Sequence, residues 1–123
     1  MRIMEREYYE ISRLYPDVET IRINVVETNA WPWNRLREFT LGQGSRCNFH
    51  LECPMSKCLG PDTGISYKSV LSEMVWKREA HRQVRLSCSG YGGYNLTFHC
   101  DWYAVLDISI AYLHPGNAAR RPL

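Results

Sequence analysis

The sequence lacks a strong charge of either sign and a long apolar run. The formal net charge is only +2 over 123 residues, so no strong field pulls the whole molecule onto nucleic acid. No segment is long and apolar enough to span a bilayer, and the first seven residues contain no apolar signal core. We therefore expect a protein of the reducing cytoplasm, where clustered cysteines bind metal more often than they form disulfides.

The sequence also lacks the signatures of common enzymes. It contains no nucleotide-binding glycine loop, no Ser/His/Asp order and no His-Glu-x-x-His motif. One segment, His50-Leu51-Glu52 followed by Cys53 and Cys58, superficially resembles the elements of zinc deaminases. The two elements abut here, the proline follows its cysteine instead of preceding it, and the cysteine spacing is too long. We therefore expect a protein that works by binding and performs no chemistry.

Internal repeats, low-complexity runs and linkers are absent as well, so we expect one domain over residues 1–123. Apolar residues make up 45% and charged residues 23% of the chain, which is typical of a globular protein. A chain of this length buries a modest core and gains from a stabilising cross-link. We interpret residues 1–16 as an N-terminal helix or arm and residues 114–123 as a flexible tail.

Four of the five cysteines form two couples. Cys53 and Cys58 lie in a tight turn, and Cys88 and Cys100 flank the glycine-rich tip of a predicted hairpin. Because each couple brings two thiolates together locally, a fold that joins the couples produces a tetrahedral zinc site. Four protein ligands leave no coordination position for water, so such a site is structural and not catalytic.

Other interpretations of the cysteines stay open at this stage. They could be free thiols that behave as small apolar residues, or they could form disulfides. The odd cysteine, Cys47, has the inward parity of its predicted strand, and we expect a buried free thiol there. Cys47, His50 and His99 are the alternative ligands if one of the four predicted cysteines does not reach the metal.

Hydrophobic periodicity predicts the secondary structure of the N-terminal half of the chain. Apolar residues at steps of three and four predict a short helix over residues 4–15, which Pro16 ends. Alternating side chains predict one strand around residues 21–26 and a second around 36–41. A short third strand over 47–51 leads to the first cysteine couple.

The C-terminal half carries the strongest signals. An apolar stripe predicts a helix over residues 66–79, with Ser66 or Thr63 at its N-cap. Even-numbered apolar residues predict a long strand over 96–112, and residues 84–88 supply the other arm of its hairpin. We therefore predict an α+β fold, an antiparallel sheet with one main helix packed on it.

The block from Cys53 to Tyr112 resembles a group of small, uncharacterised zinc-binding proteins of bacteria and phages. The shared features are the Cys-Pro-x-x-x-Cys turn, the helix around Leu71, and the hairpin that bears Cys88 and Cys100. The resemblance covers about half the chain. It implies four cysteine metal ligands and a similar fold, and it implies no activity.

Aromatic residues in predicted loops and off the helix stripe are candidates for contact with a partner protein. Such side chains bury a large area at a small entropy cost and are common interface anchors. The candidates are Trp31, Trp33, Trp76, Tyr91 and Tyr94. The alternatives are that the two loop tryptophans cover the core, or that the aromatic rings stack on unpaired bases.

The run from Lys77 to Arg85 contains four cations that could contact phosphates: Lys77, Arg78, Arg82 and Arg85. The alternative role for these cations is to complement the C-terminal end of the helix and to solubilise the next strand. Our first hypothesis is a zinc-stabilised protein-interaction module, such as an accessory subunit or a phage- or mobile-element-encoded inhibitor of a host system. The second is a nucleic-acid-binding protein that uses this run and the loop aromatics.

Overall fold

The computed structural model describes residues 7–28, 35–54, 58, 63–92, 98–100 and 102–113. The elements in chain order are β1 Tyr9–Glu10, α1 Ile11–Leu14, β2 Val18–Thr28, β3 Arg35–Leu41, β4 Arg46–Cys47, β5 His50–Leu51, β6 Ile65–Ser66, α2 Lys68–Lys77, β7 His81–Ser87, β8 Tyr91–Gly92, β9 Phe98–His99 and β10 Tyr103–Tyr112. The fold is α+β with one main helix, as predicted. No helix among the described residues is long and apolar enough to cross a membrane.

The main sheet has the strand order β3-β2-β10-β7, and every neighbouring pair is antiparallel. The two long strands β2 and β10 lie at its centre, with Ile23 opposite Ile108. Because successive side chains alternate between faces, every even-numbered residue from Trp102 to Tyr112 is buried. This inner face forms the core, and the outer face carries mostly polar residues.

Helix α2 covers the inner face of the sheet. Leu71 and Met74 are fully buried in the same cluster as the inner residues of β2 and β10. At the end of β10, the Tyr112 hydroxyl donates to the carbonyl oxygens of Met74 (3.3 Å) and Glu79 (2.7 Å). These bonds attach the C-terminal end of the helix to the sheet, since the last carbonyls of a helix have no partner within it.

The helix predicted over residues 4–15 is confirmed over Ile11–Leu14 and is wrong over residues 7–10. Residues 1–6 lie outside the described residues, Tyr9–Glu10 is a strand that pairs with β4, and only Ile11–Leu14 is helical. A single helical turn gains little on its own, because nucleation fixes several residues for one hydrogen bond. Burial of Ile11 and Tyr15 in the core fixes this short helix instead.

The predicted strand over 47–51 is broken at Phe49, which has a left-handed backbone with φ 56°. The break lets β4 pair with β1 while β5 pairs with β6. Phe49 is fully buried, and its ring packs against Tyr9, Tyr15 and Tyr67 with centroids 5.9 to 6.3 Å apart. Aromatic pairs of this kind contribute about 0.5–1.5 kcal/mol each, which offsets the backbone strain of about 1–3 kcal/mol.

Two further boundaries also differ from expectation. Helix α2 begins at Lys68, and its N-cap is Tyr67 with no side-chain hydrogen bond, so the predicted cap is wrong. Ser66 is in β6 instead. The strand predicted over 96–112 consists of β9 and β10, which are separated by Cys100 and its neighbours. The two cysteines of the second couple therefore lie at the breaks between strands, Cys88 between β7 and β8 and Cys100 between β9 and β10.

We predict that Tyr112→Phe lowers the free energy of unfolding by about 1–2 kcal/mol, because the Glu79 carbonyl loses its hydroxyl donor while the packing is retained. Urea denaturation measures the change. Tyr103→Phe is the matched control, since that ring lies half-buried on the outer face, and we expect less than about 0.5 kcal/mol there. Equal losses for the two variants would contradict the role of the Tyr112 hydroxyl.

Candidate metal centre

The structure brings the four predicted cysteines together at one end of the main sheet. Cys88 directly follows β7, and Cys100 directly follows β9. The amide of Cys88 donates to the carbonyl of Trp102 (3.0 Å), and the amide of Cys100 donates to the carbonyl of Gly90 (3.0 Å). The two arms of the hairpin are therefore joined beside the second couple, while Cys53 reaches the cluster from the end of β5.

The geometry of the cluster fits a tetrahedral metal ion. All four Sγ atoms lie within 4.8 Å of one another, with Cys53 and Cys100 3.6 Å apart and Cys58 and Cys88 3.5 Å apart. A metal ion with four sulfur ligands at about 2.3 Å requires sulfur–sulfur separations of about 3.8 Å. None of the four cysteines forms a disulfide. Each close pair joins one cysteine from the first couple to one from the second.

Backbone and hydroxyl groups surround the sulfur atoms. The Cys88 Sγ accepts hydrogen bonds from the amides of Gly64 (3.1 Å) and Gly90 (3.3 Å). The Thr63 hydroxyl lies 2.8 Å from the Cys58 Sγ. Amide donors directed at sulfur favour the thiolate, which is the form that binds metal.

The pKa values of two thiols show how the cluster responds to its surroundings. Burial raises the pKa of the Cys88 thiol, but the amides of Gly64 and Gly90, together with the Cys58 and Cys100 thiols, outweigh burial and hold the pKa below its usual value. Burial raises the pKa of the Cys100 thiol to about 11, and the Trp102 amide offsets this only in part. Thiolates this close together repel one another, and a bound metal ion would displace the protons of the thiols and remove that repulsion.

Gly64 is the position where the backbone leaves no room for a side chain. Its φ is +104°, and a Cβ there would lie 2.4 Å from the His50 Nε2 and 2.6 Å from the Leu51 carbonyl oxygen. Only glycine combines this φ with this close approach. The approach allows the Gly64 amide to reach the Cys88 Sγ and its carbonyl to accept from the Ser89 amide (3.1 Å).

The alternative ligands that the sequence suggested are not in the cluster where the structure describes them. The Cys47 Sγ lies 3.5 Å from the Tyr67 hydroxyl and accepts from the Phe49 amide (3.3 Å). The His50 side chain is buried against Gly64, so its part is packing around the cluster. The His99 side chain lies outside the described residues. Burial, together with the Cys47 contact, raises the pKa of Tyr67 above its usual range.

Of the predicted partner-binding residues, Trp76 can be placed in full. It lies on α2, and its side chain is 86% exposed. Trp31, Trp33 and Tyr94 lie outside the described residues. Tyr91 belongs to strand β8, but its side chain is not described.

The predicted phosphate contacts each have a partner within the chain. The pairs are Lys77 with Glu73 (3.2 Å), Arg78 with Asp17 (3.5 Å), Arg82 with Glu73 (2.7 Å) and with Glu79, and Arg85 over the Tyr103 ring (3.9 Å). Arg82 has the inner parity of β7 and Arg85 the outer parity. The run therefore does not form one cationic surface.

A buried ion cluster near the same end of the sheet was missed by the sequence analysis. Glu27 is fully buried and accepts two hydrogen bonds from Arg35 (2.8 and 3.0 Å) and one from the Arg37 Nε (2.6 Å). Glu27 shares the parity of Val25 and Ile23, which would have placed it on the inner face. Both arginines hydrogen-bond this one carboxylate, so the cluster as a whole keeps a single positive charge.

The chain matches no protein-family model, no curated protein and no solved structure. The resemblance to small bacterial and phage-borne zinc-binding proteins therefore stays a prediction. What the cluster can do must be argued from its own geometry.

We predict that Gly64→Ala lowers the free energy of unfolding by about 3 kcal/mol, because the new Cβ is strained and meets His50 and the Leu51 backbone. Thermal denaturation and the metal content of the purified protein measure the effect. Gly42→Ala is the matched control, because a Cβ at that position has nothing within 4 Å. A Gly64→Ala protein as stable as Gly42→Ala would contradict this description.

We predict that Cys58→Ser reduces the bound metal from about one ion per chain to near zero and abolishes cooperative unfolding, because a structural site contributes to folding directly. Elemental analysis and circular dichroism provide the two readouts. Cys47→Ser is the matched control, since Cys47 lies outside the cluster. Equal metal content in the two variants would contradict the assignment of Cys58 as a ligand.

Proposed function

We propose that this chain is a non-enzymatic protein-interaction module stabilised by one structural zinc ion bound to Cys53, Cys58, Cys88 and Cys100. The observation that carries the proposal is the approach of four cysteine Sγ atoms to within 4.8 Å of one another. Four-thiolate tetrahedral sites suit zinc and iron. Zinc is the better match for a purely structural role because it has no redox chemistry of its own.

The closed ligand set supports a role without chemistry. Four sulfur ligands complete the tetrahedron and leave no position for water or substrate, whereas catalytic zinc sites keep one open. Within the described ranges, this is the only group of three or more cysteine, histidine or acidic residues close enough to share a metal ion. We place the protein in a reducing cytoplasm, where clustered cysteines bind metal more often than they form disulfides.

Trp76 is the described side chain that best supports contact with a partner protein. A tryptophan that is 86% exposed contributes nothing to the core, and tryptophan is enriched among the residues that dominate binding energy. Its helix is held on the sheet by the buried Leu71 and Met74, so the ring starts from a rigid backbone. We propose that the chain binds its partner either as an accessory subunit of a larger assembly or as an inhibitor of a host system.

Nucleic-acid binding remains the second hypothesis, with less support. The four candidate cations are each engaged with a side chain of the same chain. Phosphate binding would have to break these contacts or compete with them.

We predict that a benzophenone photo-crosslinking amino acid at position 76, which keeps a large aromatic group in place of the indole, captures one specific protein in native cells. Arg13 is the matched control position, since it is exposed on a different element. Trp76→Ala should weaken binding of the captured protein at least tenfold, the size expected for a central tryptophan, and should leave the melting temperature unchanged. Identical crosslinks from positions 76 and 13 would contradict an interface at Trp76.

The second hypothesis is tested with a labelled single-stranded oligonucleotide at low ionic strength. We expect no saturable change in fluorescence anisotropy, because the cations of the run are paired and do not share one face. Tight binding that weakens steeply as salt rises would favour nucleic acid over a protein partner.

A further inference from the structure

The outer face of the main sheet carries an apolar stripe that crosses β3, β2 and β10 and ends at a cation on β7. The register places Leu36, Val26, Val105 and Arg85 side by side, in that order from β3 to β7. Leu36 is 75% exposed and Val26 is 40% exposed. The stripe extends about 14 Å, since neighbouring strands lie about 4.8 Å apart. The main helix of the described residues lies on the opposite face of the sheet.

Two polar rows lie on either side of this stripe. The register gives Thr28, Tyr103 and Ser87 on one side, and Asn24, Asp107 and Gln83 on the other. The guanidinium of Arg85 lies 3.9 Å from the centroid of the Tyr103 ring. The guanidinium of Arg85 is therefore displaced toward the first row, while the carboxylate of Asp107 lies in the second row.

This pattern is complementary to itself. Two copies can face each other across a two-fold axis that runs parallel to the stripe, midway between the two sheets. Rotation by 180° about this axis places the stripe of one copy against the stripe of the other. The same rotation brings the first polar row of each copy opposite the second row of the other. Leu36, Val26 and Val105 then meet their own copies, and the Arg85 backbones of the two copies face each other across the axis. Each Arg85 guanidinium, displaced over Tyr103, approaches Asp107 of the partner subunit, so this contact forms twice, once on each side of the axis. Two sheets packed face to face in this way lie about 10 Å apart, with strand directions within about 30°.

We propose that the chain forms a two-fold symmetric dimer through this outer face. The charges of the face favour a second copy over a strongly charged partner. Its two arginines, Arg22 and Arg85, face two acids, Glu38 and Asp107. Arg22 lies 3.9 Å from Glu38, and His81 Nε2 contacts Oδ1 of Asp107 in the same chain, which leaves Oδ2 of Asp107 for a second copy. A symmetric interface needs one patch that matches itself, and this patch does so in both polarity and charge.

The inference deepens the proposed interaction function by naming one partner. It depends neither on Trp76, which lies on the helical side of the sheet, nor on the identity of the metal ion. Sedimentation velocity of the full chain over a concentration series should show reversible dimerisation. Leu36→Lys should raise the dissociation constant of the dimer at least tenfold. Trp76→Lys is the matched control, and its dissociation constant should equal that of the unchanged protein.

A mixing experiment tests the contact between subunits directly. Arg85→Glu alone places two acids together at each symmetric contact, and Asp107→Arg alone places two cations there, so each variant should dimerise at least tenfold more weakly. A mixture of the two variants restores opposite charges at both contacts. Their heterodimer should therefore form more tightly than either homodimer, while contacts within each chain are unaffected by mixing.

Three results would overturn the dimer. One is an unchanged protein that stays monomeric up to about 1 mM. Another is a mixture that associates no more tightly than the separate variants. The third is a protein that stays monomeric and binds a different protein, with this binding lost in the Leu36→Lys variant. The outer face would then be the binding site for that other protein. A monomer that is still crosslinked at position 76 would refute the dimer alone, and a dimer without such crosslinks would refute only the interface at Trp76.

Discussion

The approach of four sulfur atoms to within 4.8 Å of one another is the constraint on which the rest of the structure depends. It joins the turn after β5 to the hairpin arms that lead out of β7 and into β10. Thiolates at this distance repel one another, and burial opposes their ionisation. A bound dication removes both costs, so the small core gains a cross-link that its own apolar area would not supply. The left-handed Gly64 serves the same cluster, since its amide reaches Cys88 only where no side chain intervenes.

The sheet separates two surfaces with different roles. Its inner face is closed by α2 and by the aromatic group around Phe49. At one edge of that face, buried Glu27 accepts hydrogen bonds from both Arg35 and Arg37, so a charge lies within the core with its partners supplied. No described element covers the outer face, and its exposed apolar residues form a stripe and are not scattered singly. The proposed binding role rests on this face and on the exposed tryptophan of the helix.

Much of the fold could be predicted because it follows from local periodicity. The even-numbered apolar residues of β10 and the stripe of α2 each specify one face, and the cysteine couples are close in sequence. Contacts between distant segments are not encoded in that way. The pattern over residues 4–15 suits a helix, but pairing of Tyr9 with Cys47 makes part of it a strand. The break at Phe49 depends on three tyrosines from other elements, and the ion cluster at Glu27 depends on which strand lies beside β2. Cys47 and His50 lie next to the cluster in sequence, but the paths of β4 and β5 keep both out of it.

X-ray absorption at the zinc edge of the purified protein tests the central claim most directly, because it reports the ligands of the metal ion themselves. The account predicts one shell of four sulfur atoms at about 2.3 Å and no nitrogen or oxygen ligand. A shell with three or fewer sulfur atoms completed by nitrogen or oxygen would contradict it. Such a shell would assign one of the four cysteines a different role and would open the site to water or substrate.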